Sequence, residues 1–196
     1  MRRTFFILIF FSISIYSFEQ NKNFDDSLIY QKIIASTISR SAKTILIVDK
    51  TIKYDHFIDT TAIVDSNSID PNEILQRKLE WESSTGTPFD SIAYRPMMRY
   101  YLNQHSPKKI NYHYSFPLEL LYLSSDRKSE YDHASLSNKY LNFELFEFSE
   151  IFYSADRTRA VLYYAVHRKK GKGSIALFQK MNGEWVNKWE NIIWYN

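Results

Sequence analysis

From Glu144 to the C-terminus, β-branched and aromatic residues fall in four runs divided by turn signals: Glu144 to Tyr153, Arg159 to His167, Ser174 to Lys180 and Glu184 to Tyr195. The pattern predicts four antiparallel strands in a meander. Asn182-Gly183 suits the two left-handed central residues of a type I′ hairpin, which fixes the register of the last pair. Ser154-Ala155-Asp156-Arg157 supplies the first turn, and Arg168 to Gly173 forms a longer loop between the middle two strands. Ala160 to Val166 is apolar at both parities, so this strand should be central and covered on both faces. In the first strand, Leu141, Phe143 and Leu145 share one parity while Phe146 and Phe148 take the other; a bulge near Leu145-Phe146 would return all five to one core.

Upstream, Tyr30, Ile33, Ile34, Thr37 and Ile38 recur at helical spacing behind Asp25 or Asp26 as N-cap, predicting a helix over residues 26–39. Thr44 to Val48 is a continuous apolar run, too short for a helix and read as a buried strand. Asp70-Pro71-Asn72-Glu73 opens a helix to Trp81, with Ile74, Leu75 and Leu79 apolar. A short helix is expected from Pro96, with Met98, Tyr101 and Leu102 inward. Strict alternation over Ile110 to Phe116 predicts a strand with Ile110, Tyr112, Tyr114 and Phe116 facing the core. The apolar run from Pro117 to Leu123 has no clear period. Ser129 with Asp132 can cap a helix over residues 129–140, Leu136 inward. The fold class expected is α+β, a mainly antiparallel sheet ending in the four-strand meander and packed on a few helices.

The N-terminus changes the domain count. Arg2-Arg3 precedes an apolar run from Phe5 to Phe18, which is short for a bilayer span and suits a signal-peptide core. Residues 1–18 are therefore read as a signal peptide or N-terminal anchor, and residues 19–196 as one α+β domain that is exported to the periplasm or beyond. Without this segment the net charge falls from +3 to +1, since it holds two arginines and no acid. The remainder is polarised: residues 19–150 carry 15 basic and 19 acidic residues, and residues 151–196 carry 8 and 3. The chain has no cysteine, which excludes disulfides, thiolate catalysis and a cysteine-based zinc site, and fits a bacterial envelope protein stabilised by its core alone.

Phe148 to Ser154, Arg159 to Tyr164, Gly171 to Ser174, and Asn182-Gly183-Glu184-Trp185 follow an order that resembles a loose group of uncharacterised exported bacterial α+β proteins. These end in a Ser-x-x-x-Phe strand, an Ala-x-x-Tyr strand, a glycine turn and an Asn-Gly-x-Trp hairpin. Many carry two cysteines before the glycine turn, where this chain has residues such as His167, Arg168 and Lys169. The resemblance covers the last quarter to third of the chain. It implies export and architecture, and no activity.

Candidate chemistry is sparse. Asp65 to Asp70 begins like a calcium loop, but Ile69, Asp70 and Gln76 stand where a ligand, the glycine and the bidentate glutamate belong. His56, His105, His113, His133 and His167 include no pair at helical metal spacing, so no metal and no cofactor is expected. The densest cationic cluster, Arg168, Lys169, Lys170 and Lys172, is a candidate for contact with an anionic surface, against the plainer reading of a solvated hairpin whose charges prevent edge pairing. His113 with His105 and Glu119 is the best assembly for acid-base hydrolysis, without a glycine elbow at any serine. The expectation is a non-catalytic exported protein that binds an envelope protein or an anionic envelope component. Nucleic acid is not expected as a partner; the alternative is a small envelope hydrolase with a His-centred pocket.

Overall fold

The computed structural model describes residues 24–52, 80, 92–97, 107–110, 112, 114, 116–126, 133–168 and 171–195. The leader expected at residues 1–18, the helix expected from Asp70 and the expected inward positions Met98, Tyr101 and Leu102 fall outside this set, except that Glu80 is helical. Besides the helical residue Glu80, the described residues form α1 (24–37), β1 (Thr44–Val48), α2 (92–97), β2 (Glu119–Leu123), α3 (His133–Lys139), β3 (Phe143–Phe148), β4 (Phe152–Tyr153), β5 (Arg159–His167), β6 (Lys172–Met181) and β7 (Glu184–Tyr195).

The strands form one sheet in the order β2-β1-β3-β5-β6-β7, with β4 also on β5. It is mixed, which corrects the expectation of a mainly antiparallel sheet: β1 runs parallel to both β2 and β3, and the pairs from β3 through β7 are antiparallel. Among the described residues, the next strand after β1 is β2, at Glu119. The chain then passes through α3 to cross over β1 and lay down β3. Parallel neighbours need crossovers of this kind.

The C-terminal meander is present with its first strand divided. β3 holds register with β5 from Leu145 to Phe148, and β4 resumes on the same edge at Phe152. The break lies at residues 149–151. Ser149 spans it: its N–H donates to the Tyr163 carbonyl, and its Oγ accepts from the Tyr163 N–H, both at 2.9 Å. No bulge occurs at Leu145-Phe146, because both faces of β3 are buried. Phe146 and Phe148 join the core beneath α1, and Phe143 and Leu145 join Leu46, Val48 and Leu136 on the other face. The parity change marks two cores, not a kink.

α1 packs Ile29, Tyr30, Ile33 and Ile34 against Ile45, Ile47, Phe148, Leu162 and Phe178, and the Tyr30 hydroxyl donates to the Ser149 carbonyl at 2.9 Å. On the opposite face, Tyr94 and Met97 of α2 cover Val161, Tyr163, Ile175 and Leu177. α2 is already helical at residue 92, four residues before the expected start at Pro96. β5 is buried on both sides as its composition requires. Asn182 and Gly183 take φ of 52° and 85°, the left-handed pair that closes β6 onto β7. No strand is assigned at Ile110, Tyr112, Tyr114 or Phe116, yet Ile110 is buried and the three rings pack on the α1 core, as their alternation predicted. The ambiguous run before Leu123 contains β2, which ends the sheet among the described strands.

Candidate functional site

Polar side chains gather at both ends of α1 because the helix lies on an apolar sheet face and its termini carry the unpaired backbone groups. At the N-terminal end, Asp25 and Asp26 lie in the first turn and are turned to the sheet, both buried. Asp25 Oδ1 accepts from Trp185 Nε1 at 2.9 Å and Lys180 Nζ at 3.1 Å, and Oδ2 accepts from Arg157 at 3.3 Å. Asp26 accepts from the Tyr153 hydroxyl at 2.6 Å and the Tyr112 hydroxyl at 3.3 Å. Carboxylates here oppose the positive end of the helix dipole, a further favourable term. Burial, reinforced by the charge of Asp26, pushes both tyrosine hydroxyls far above their ordinary range, so they stay protonated and donate to the carboxylate.

At the C-terminal end, Glu144 on β3 is 2% exposed; its Oε1 accepts from the Ser39 N–H and from Arg168, both at 3.1 Å. Beside it, Glu190 Oε1 accepts from the Tyr164 hydroxyl and Lys172 Nζ, each at 2.6 Å. Burial alone would raise the Glu190 carboxyl, but the Lys172 and Tyr164 hydrogen bonds outweigh it and hold it below its usual range. Burial lowers Lys172 and the bond to Glu190 raises it, with the net effect upward.

Arg168 and Lys172, two of the four cations expected to meet an anionic surface, are thus each matched to a carboxylate; Lys169 and Lys170 lie outside the described residues. His105 and His113 also lie outside them. Glu119 is exposed at the start of β2, where Thr44 Oγ1 donates to it at 3.4 Å. The structure brings together a different pair, Glu147 and His167. Their strands pair antiparallel and both side chains fall on the α2 face, with His167 Nε2 2.7 Å from Glu147 Oε2. Glu147 is 2% exposed and the imidazole is partly exposed. Pairing and parity could have found it: Leu145 opposes His167, so Glu147 sits diagonally across on the same face.

No family model, curated protein or solved structure matches the chain. Its chemistry must therefore be read from these groups. Chemically, the two ends of α1 are latches: Asp25 at one and Glu144 at the other join the N-terminal three quarters to Arg157, Lys180 and Arg168, whereas Glu190–Lys172 is a pair within the C-terminal sheet. The polarised charge of the sequence is in this part an internal complementarity. A group of three or more metal-ligating side chains does not occur among the described residues, and no helix there is long and apolar enough to cross a membrane.

Proposed function

We propose that this chain is an exported, non-catalytic binding domain of the bacterial cell envelope, recognising a protein partner. The observation that carries the reading is the engagement of its charged groups. Asp25, Glu144 and Glu190 are matched to Arg157, Lys180, Arg168 and Lys172 in buried or half-buried pairs. Groups held this way secure a scaffold, and cations already neutralised contribute little potential toward an anionic polymer. This favours a protein over an anionic envelope component. The arginine pair and apolar run at the N-terminus support export.

Affinity capture with the chain from its own envelope fraction, paired with a hydrolase panel, tests the reading. Capture of one protein in fixed stoichiometry and no turnover are expected. The Glu147–His167 pair favours a second reading, the small hydrolase, because a buried carboxylate orients an imidazole for proton transfer. Turnover that disappears in His167→Ala while the fold persists would replace the first reading with the second.

A further inference from the structure

We infer that β2 is a self-pairing edge, and that a second copy of this chain adds its own β2 antiparallel to it, extending the sheet across a two-fold axis.

β2 stands at one end of the strand order, with β1 as its single partner among the described strands. In a parallel pair, alternate residues turn their N–H and C=O groups away from the neighbour, so β2 presents a row of backbone donors and acceptors on its far side. Burial falls off in that direction. Ile45, Leu46 and Ile47 of β1 are 0% exposed, while their partners Leu120, Leu121 and Tyr122 remain partly exposed.

The two ends of the sheet are treated differently. β7 carries two register shifts against β6 and the charged residues Glu184, Lys188 and Glu190. Bulges and charges of this kind blunt an edge against pairing. β2 reads Glu-Leu-Leu-Tyr-Leu, keeps an unbroken register with β1 over all five residues, and has one charge, at its first position. Beyond Glu119, nothing in those five residues charges the edge, and no register shift twists it.

Self-complementarity identifies the occupant. In an antiparallel pair centred on Leu121, Leu121 faces its own copy, Leu120 faces Tyr122, and Glu119 faces Leu123. No like charges are opposed, and each pair brings together residues from one face of the sheet. Leu120 and Tyr122 belong to the core beneath α1, and Leu121 packs on the core that includes Leu136, so both cores would continue across the axis. A closed two-fold pair satisfies both edges at once and cannot propagate, which is the usual solution for a symmetric oligomer. The inference does not depend on export or on the identity of any other partner.

The absence of cysteine makes the test clean. A single thiol introduced by Leu121→Cys would face its twin at about 4.5 to 5.5 Å between Cα atoms, within disulfide reach. The purified protein should sediment as a dimer in equilibrium with monomer. Leu121→Cys should cross-link rapidly and nearly completely on mild oxidation, and Val186→Cys, exposed on β7, should cross-link slowly if at all. Leu121→Lys, which opposes two ammonium groups at the axis, should sediment as a monomer with an unchanged circular dichroism spectrum. A chain that stays monomeric at every loading, as it would if another protein's strand occupied this edge, overturns the inference. So does equal cross-linking of Leu121→Cys and Val186→Cys, or a dimer that persists in folded Leu121→Lys.

Discussion

Asp25 concentrates more of the tertiary structure than any apolar residue of α1, because three donors from three separate segments end on its one carboxylate. Those donors, Trp185, Lys180 and Arg157, are 132 to 160 residues distant in sequence. Asp25→Ala leaves a buried indole N–H and two cations without their acceptor. A loss of about 3 kcal/mol is expected, read as a lower urea midpoint with an unchanged slope. Arg157→Ala removes a partly exposed partner and should cost about 1 kcal/mol by the same measurement. Glu190 carries a pH signature. Its folded carboxyl lies below its ordinary range, so its contribution is present above that range and is lost as pH falls through the depressed value. Glu190→Gln should therefore be less stable than the parent chain at neutral pH, and the gap between their thermal midpoints should close on acidification. None of these partners was legible in the sequence. Asp25 reads locally as a cap, and only the tertiary fold reveals the acceptor.

Among the elements, the break between β3 and β4 shows where local pattern misleads. A parity change in an apolar run reads as a bulge if one core is assumed, whereas here each parity feeds its own core. The true interruption at Ser149 gives little sequence signal, since a serine can bridge a missing ladder bond with its hydroxyl. Ser149→Ala would leave the buried Tyr163 N–H without its acceptor, and a loss of about 1 to 3 kcal/mol is expected in thermal or urea unfolding. Other elements were legible because their causes are local. The Asn182-Gly183 hairpin, the buried face of α1 at Tyr30, Ile33 and Ile34, the inward Leu136 and the two-sided burial of β5 all follow from turn chemistry and period. β1 was readable as a buried strand. Its parallel neighbours were not, because their pairing is set by two crossovers whose direction no residue of Thr44 to Val48 encodes.

For the whole molecule, the charge asymmetry of the sequence and the order of the sheet belong to one design. The acid-rich N-terminal part supplies α1 and β3, the base-rich C-terminal part supplies β5 to β7, and the two are joined through ion pairs at both ends of the helix. In the proposed reading, this leaves the apolar edge at β2 for recognition. The central claim, a binding domain working outside the cytosol, is tested most directly by fractionating the native cells and measuring the intact mass of the endogenous protein. The account predicts that the protein is found in the envelope or beyond it, either shortened by its leader or retained at the membrane by it. Recovery of the full-length chain from the soluble cytosol would contradict it.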